Sequence, residues 1–177
     1  ELKQKAVLYI NTDGNGRGFL YAGGSHALEP AFTEIAKDVT DPQANVSVFQ
    51  RKKARDIITA STTKAKKENL DKQYFDLHAL GSGSDYSPFF QHLGINSLNI
   101  GFGGEDEGGE YHSVYDSYDM YRRFKDPTFE YGVALAKVCG RTTLRFANAE
   151  ILPFDFRSLY KTINKYATDL ITMADEM

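Results

Sequence analysis

The sequence has little cysteine or proline and no long apolar run. Among its 177 residues there are 1 Cys and 5 Pro. Cys139 has no second cysteine with which to form an internal disulfide, which excludes a disulfide-rich scaffold in any compartment. No apolar stretch approaches the roughly 18 residues of a membrane span. Residues 1–5 also lack the apolar segment of a signal peptide.

The chain also has little excess of either charge. It carries 21 Lys and Arg against 24 Asp and Glu, a formal net charge of −3. This balance argues against the broad basic surface that binds nucleic acid or anionic membranes, and we expect neither partner. With 41% hydrophobic and 25% charged residues, the composition is that of a globular chain with a core.

Hydrophobic periodicity predicts strands that alternate with helices. Runs rich in β-branched and aromatic residues predict three strands, at 6–11, 74–80 and 97–102. Helical spacing predicts a helix capped by Ser25 that ends near Asp41, followed by helices at 86–93, at 127–147 and from Pro153 to the C-terminus. The Lys-rich segment 45–73 has only a weak helical stripe and is predicted to be solvated surface.

This order of elements predicts an α/β fold with a mostly parallel sheet and C-terminal helices. In such sheets ligands bind beyond the carboxyl ends of the strands. Three features follow the predicted strands: Asp13, the glycine-serine loop 81–85, and the acidic glycine-rich loop that leads to His112. We therefore expect these three segments to matter most for function.

Asp13 and His112 are residue types that hold zinc, because carboxylate and imidazole are both good ligands. Spacing alone favours a simpler interpretation of Asp13, as a turn residue that bonds the nearby backbone. By the same standard, His112 is a partly buried structural histidine. The string G-S-G-S-D around Ser82 and Ser84 matches neither a nucleophile elbow nor a phosphate-binding loop. Backbone N–H groups that line a substrate are the more natural use of that loop.

Four strings taken together resemble a known family. They are Y-I-N-T-D at 9–13, L-G-S-G-S-D at 80–85, Y-H-S-V-Y at 111–115, and L-P-F-D at 152–155 followed by Lys165 and Tyr166. In this order they resemble the co-catalytic zinc peptidase domain of glutamate carboxypeptidase II and the transferrin-receptor-like family. The resemblance implies that residues 1–148 are the C-terminal portion of a phosphorylase/hydrolase-like catalytic domain. Residues 149–177 would begin a helical domain that forms homodimers.

The resemblance also implies roles for individual residues at a site with two zinc ions. Asp13 corresponds to an acidic ligand of one zinc, and His112 to the histidine ligand of the other. Tyr111 corresponds to a catalytic tyrosine whose hydroxyl stabilises the tetrahedral intermediate. The residues that correspond to substrate-binding positions are Ser82, Gly83, Ser84, Lys165 and Tyr166. The last two would receive the terminal carboxylate of a peptide, and Ser84 stands where the carboxypeptidase has Asn.

The family's remaining site residues precede the position of Tyr9: a second histidine, a bridging aspartate, and two glutamates, one of them the general base. This chain does not contain them, and it starts with Glu1 directly before a predicted strand. We therefore expect a fragment of a longer zinc peptidase that is inactive alone and does not bind zinc fully. Two alternatives stay open, a non-enzymatic binding protein of the transferrin-receptor kind and an independent interaction module.

Overall fold

A three-stranded sheet lies at the centre of the fold in the computed structural model, which describes residues 1–105 and 108–176. Its strands are β1 (Tyr9–Asn11), β2 (Gly18–Gly24) and β3 (Ser97–Gly104). The strand order is β1-β3-β2, so β3 is central. β1 runs parallel to β3 and β2 runs antiparallel to it. The predicted α/β class is confirmed, but this sheet is mixed and not mostly parallel.

The helices occupy about half of the remaining described chain. They are α1 (Leu2–Lys5), α2 (Glu29–Asp38), α3 (Val48–Thr59), α4 (Thr63–Asp71), α5 (Tyr118–Met120), α6 (Glu130–Ala147) and α7 (Phe156–Asp175). A 3-10 turn, His26–Leu28, precedes α2, and π-helical turns span Pro88–His92 and Tyr121–Lys125. Within the described ranges, no helix is both long enough and apolar enough to cross a membrane.

Side-chain caps determine where the surface helices begin. The Ser47 hydroxyl accepts a hydrogen bond from the Gln50 N–H, and the Gln50 side chain accepts one from the Ser47 N–H, a capping box that starts α3. The Thr62 hydroxyl caps α4 by accepting a hydrogen bond from the Ala65 N–H. Ser25 does not cap the next helix as predicted. Its hydroxyl accepts the Ser97 N–H at 3.2 Å instead, so the chain enters α2 through the 3-10 turn.

The core forms where β2 and β3 meet α2 and α6. Its largest fully buried side chains include Leu20, Phe32, Leu98, Ile100, Phe102, Tyr131 and Val138. Each large apolar side chain contributes about 1.5–3 kcal/mol when fully buried, so this cluster holds the helices against the sheet. On α7, by contrast, Ile163, Leu170 and Met173 are each more than half exposed.

The strand predicted at 74–80 is wrong. Phe75 and Leu77 are buried at alternate positions, as they would be in a strand. However, the Phe75 N–H donates to Thr33 Oγ1 at 2.8 Å, and the Leu77 N–H to Glu29 Oε1 at 3.5 Å. A single isolated bridge joins the segment to β2. At that bridge, the His78 N–H donates to the Ala22 carbonyl of β2. Side chains of α2 thus replace a partner strand as acceptors for Phe75 and Leu77.

The predicted helices differ in how well they agree with the structure. Those at 127–147 and after Pro153 are confirmed as α6 and α7. The one expected at 86–93 shrinks to a π-helical turn, and α2 ends at Asp38, before the predicted stop. The segment 45–73 forms two capped helices, α3 and α4, which bury Val48 and Phe49 and leave most other residues partly or fully exposed.

Candidate functional site

Asp13 lies in the turn after β1, and two side chains hold its carboxylate. Ser84 Oγ donates to Oδ2 at 2.7 Å, and Asn11 Nδ2 donates to Oδ1 at 2.9 Å. Because these hydrogen bonds stabilise the charged form, the pKa of the Asp13 carboxyl lies below its ordinary value. The residue is exposed. Asp13 is therefore an ionised and oriented carboxylate at the carboxyl end of a strand.

Two asparagines that the sequence reasoning did not assign complete this group. Asn11 is 5% exposed, and its Nδ2 lies 3.1 Å from Ser84 Oγ and 3.1 Å from Asn99 Oδ1. The parallel register sets Asn11 directly opposite Asn99. We call Asn11, Asp13, Ser84 and Asn99 the strand-end cluster. A polar residue that closes the apolar run A-V-L-Y-I-N was the signal that could have indicated Asn11.

The glycine-serine loop contributes one of its three predicted substrate-binding residues to the strand-end cluster. That residue is Ser84, while Ser82 and Gly83 are exposed. Gly83 has a φ of +92°, a backbone conformation that suits glycine. Gln91 Nε2 donates to the Gly81 carbonyl at 2.7 Å and holds the base of the loop. The loop therefore presents exposed backbone next to an anchored serine.

Tyr111 and His112 lie in a tight turn beyond β3. The Glu110 carbonyl accepts hydrogen bonds from both the N–H (2.9 Å) and the hydroxyl (2.6 Å) of Ser113. His112 has a φ of +59°, which is uncommon outside glycine and is enriched at functional sites. The two rings stack with centroids 3.8 Å apart, and Tyr111 is 75% exposed. The turn thus presents a phenol and an imidazole together to solvent.

The residue before this pair is a buried charge. The Glu110 side chain is 7% exposed and forms an ion pair with Lys125. The Lys125 ammonium holds the pKa of the Glu110 carboxyl below its ordinary value. The Lys125 carbonyl accepts the Arg17 N–H at 3.2 Å, and Arg17 belongs to the same loop after β1 as Asp13. Contacts through Glu110 therefore connect the turn that carries His112 to the loop that carries Asp13.

Lys165 and Tyr166 lie on α7 beside a separate recess of about 360 Å³. The recess is also lined by His26, Glu29 and Tyr74 and by residues 76–79. The Tyr166 and His26 rings meet edge to face, with centroids 6.3 Å apart. His26 Nδ1 lies 3.4 Å from Glu29 Oε1, and burial raises the pKa of the Glu29 carboxyl. The sequence reasoning assigned no function to His26 or Glu29.

The residues described in the structure do not form a metal site by themselves. Across 1–105 and 108–176, no three His, Cys, Asp or Glu side chains gather in a way that could hold a metal ion. Zinc sites in proteins take three or four such ligands. Asp13 and His112 are chemically suited to give one ligand each, but no hydrogen bond or ring contact between described residues joins them. Any zinc held here requires further ligands.

Comparison with known proteins identifies relatives over nearly the whole chain, although no family model matches it. The chain is 32% identical over 173 residues to the probable glutamate carboxypeptidase LAMP1 of Arabidopsis thaliana, covering 96% of this chain and 23% of that protein. The probable glutamate carboxypeptidase VP8 of Zea mays is 30% identical over 172 residues, with 96% and 22% covered. Over nearly its whole length, the chain is therefore similar to proteins named glutamate carboxypeptidases.

These relatives confirm the resemblance carried by the four motif strings. A more distant relative, the aminopeptidase NAALADL1 of Rattus norvegicus, is 23% identical over 175 residues, which cover 94% of this chain and 22% of that protein. The chain thus spans less than a quarter of the length of these relatives. The division of the chain at residue 148 and the roles of individual site residues stay predictions.

Proposed function

We propose that this chain supplies part of the active site of a zinc-dependent exopeptidase. The observation that carries the proposal is the strand-end cluster, an ionised and exposed Asp13 held in place by Ser84 and Asn11. It occurs in a chain whose relatives are named carboxypeptidases and aminopeptidases. We use the term long form for a protein of the relatives' length that contains this chain.

In the long form, Asp13 and His112 each give one ligand to a pair of zinc ions. The other ligands and the general-base glutamate come from residues outside this chain. Bound zinc would lower the pKa of a water molecule and polarise the scissile carbonyl. Asn11 and Ser84 fix the Asp13 carboxylate in one orientation, as outer partners of metal ligands do. In this chain alone the ligand set is incomplete, so we expect it to be inactive.

Tyr111 is the residue of this chain that we assign to transition-state stabilisation. Its phenol is a hydrogen-bond donor, and it stacks on the ring of His112. A donor fixed beside a metal ligand can reach the oxygen on which negative charge develops. The alternative, a non-enzymatic binding protein, has less support, because the chain retains Asp13, His112 and Tyr111 together.

The recess on α7 is the proposed subsite for the substrate's terminal carboxylate. Lys165 offers a cation and Tyr166 a hydroxyl, which together suit an anion. A peptide with a free or acidic C-terminus is therefore the proposed substrate. The exposed apolar residues of α7, among them Ile163 and Leu170, support the further proposal of a homodimer.

Zinc analysis and a peptidase assay on two proteins test the proposal. We expect the long form to hold about two zinc ions per subunit and to hydrolyse peptides that end in glutamate. The 177-residue chain alone should hold less zinc and hydrolyse none. Full zinc occupancy with activity in the isolated chain would contradict our assignment of the missing ligands. A long form without zinc and without activity would favour the binding-protein alternative.

Changing Lys165 to Ala in the long form is expected to raise KM for peptides with a free C-terminus about 10- to 100-fold, with kcat nearly unchanged. The estimate follows from hydrogen bonds to charged groups, each contributing about 1.5–3 kcal/mol. Lys161→Ala is the matched control, since Lys161 lines the same recess one turn earlier. With a peptide whose C-terminus is amidated, wild type and Lys165→Ala should have similar KM values. An unchanged KM in Lys165→Ala would remove Lys165 from the substrate site.

A further inference from the structure

We propose that Glu110 and Lys125 are positioning residues, whose ion pair sets the place of the Tyr111–His112 turn relative to Asp13. Neither residue contacts substrate in this proposal, and both act through the turn. The inference rests on the proposed function for its catalytic consequence. Its structural part depends only on contacts among described residues.

Because Glu110 is buried, its location depends on the ion pair with Lys125. The carboxylate is 7% exposed, and a buried charge is costly unless it is paired. One oxygen pairs with Lys125, while Oε2 is buried without a hydrogen-bond partner among the described residues. Lys125 therefore provides the compensation that permits Glu110 to lie inside the protein.

Lys125 is itself fixed to the loop that follows β1. It closes the π-helical turn Tyr121–Lys125, and its carbonyl accepts the Arg17 N–H at 3.2 Å. The Arg17 guanidinium also donates to the Phe124 carbonyl at 3.2 Å. Two hydrogen bonds from one residue therefore hold this segment against the loop that carries Asp13.

The beginning of the acidic loop is also held by Arg17. Glu105, which directly follows β3, donates its N–H to the Arg17 carbonyl at 3.3 Å and forms an ion pair with Arg51. The backbone of Arg17 thus contacts Glu105 with its carbonyl and Lys125 with its N–H. Arg17 therefore contacts the start of this loop directly, at Glu105. It contacts the end of the loop, at Glu110, through Lys125.

The Tyr111 and His112 side chains have little else to hold them. Both are exposed, and their contact with each other is the one ring contact they make within the described chain. Their position is therefore determined by the backbone of the turn, which begins with the two Ser113 hydrogen bonds to the Glu110 carbonyl. Misplacement of reacting groups by about 1 Å is costly in catalysis, so an anchor at Glu110 affects the rate.

Glu110→Gln in the zinc-loaded long form tests the proposal with two measurements. Glutamine keeps the size of the side chain but loses the charge that pairs with Lys125. We expect kcat to fall about tenfold with KM within about twofold of wild type, the pattern of a misplaced catalytic group. In hydrogen-deuterium exchange, the amides of Ser113 and Asp116, which both bond within the turn, should exchange several times faster.

Asp119→Asn is the matched control, because it removes an ion pair with Arg123 from the neighbouring segment, where both partners are about 60% exposed. It should leave kcat and exchange unchanged. Exchanging the charges, with Glu110→Lys and Lys125→Glu together, should restore part of both properties. Wild-type kcat and exchange in Glu110→Gln, or equal losses in Asp119→Asn, would overturn the proposal. If the wild-type long form hydrolyses no peptide, the proposed function fails, and exchange at Ser113 and Asp116 alone decides the positioning role.

Discussion

Replacing Arg51 by Met is expected to lower the free energy of unfolding by about 3–5 kcal/mol, the usual cost of removing one partner of a buried ion pair. Arg51 Nη1 lies 2.8 and 2.9 Å from the two carboxylate oxygens of Asp41. The side chains are only 11% and 1% exposed, respectively. Methionine would fill much of the same space but leave the buried Asp41 carboxylate without its cationic partner, with only the N–H groups of Gln43 and Ala44 as donors among the described residues.

The same guanidinium connects several parts of the fold. It donates to the Gly18 carbonyl of β2 at 3.2 Å and to the Tyr131 hydroxyl of α6, and it pairs with Glu105 after β3. Burial alone would lower the pKa of Arg51, but its hydrogen bonds and charge interactions with Asp41 and Tyr131 raise that pKa above its ordinary value. One substitution on α3 therefore weakens its attachment to both neighbouring strands and to α6.

Arg55→Met is the control for this prediction. Arg55 lies one turn later on α3, and its guanidinium carbon is 4.6 Å from the Phe19 ring centroid, against 4.7 Å for Arg51. Loss of such a cation–π contact costs about 0.5–1 kcal/mol at an exposed site. Urea denaturation of wild type and both variants measures the difference. Equal losses of unfolding free energy in the two variants would show that the ion pair between Arg51 and Asp41 adds nothing to stability beyond the cation–π contact.

Changing Tyr111 to Phe is expected to lower kcat of the zinc-loaded long form about 10²- to 10³-fold, as removal of one oxyanion donor does elsewhere. The substitution deletes a single oxygen from a side chain that is 75% exposed. The free energy of unfolding should therefore change by less than about 0.5 kcal/mol. KM should stay close to the wild-type value, since the lost hydrogen bond belongs to the transition state.

Tyr115→Phe is the matched control for Tyr111, because Tyr115 closes the same motif string and is 74% exposed. Steady-state kinetics of the two variants should separate them by at least about tenfold in kcat. If Tyr111→Phe raises KM and leaves kcat unchanged, its hydroxyl binds substrate and does not stabilise the transition state. Equal kinetics in both variants and wild type would remove Tyr111 from the mechanism.

Strand β2 was not predicted from the sequence, because the reason for its composition lies in another strand. Its sequence G-F-L-Y-A-G-G carries three glycines, which are depleted in strands. In the fold, a Cβ added at Gly24 would lie 2.7 Å from both Leu98 Cδ2 and the Ser97 carbonyl. Glycine is needed there because β2 and β3 approach closely, a requirement set by the partner strand. Since β2 is the antiparallel strand, missing it also produced the expectation of a mostly parallel sheet.

The motif strings anticipated parts of the candidate site, and the fold supplied the connections between them. Asp13 was predicted to follow a strand and does so, because an apolar run before a turn is a local signal. The pairing of Asn11 with Asn99 depends on register, and that of Glu110 with Lys125 on the return of the chain after the turn. Such contacts join residues whose local sequences contain no sign of each other.

The position of β3 has a consequence for how the chain reaches its folded state. β3 is the central strand of the described sheet and also the last of the three in the sequence. Asn11 and Asn99 are 88 positions apart in the sequence, so a long loop must close before β1 and β3 form any hydrogen bonds. Topologies dominated by such distant pairings fold slowly. Until β3 is synthesised, β1 and β2 lack their strand partner, so the nascent chain is more open to edge-to-edge aggregation than the folded one.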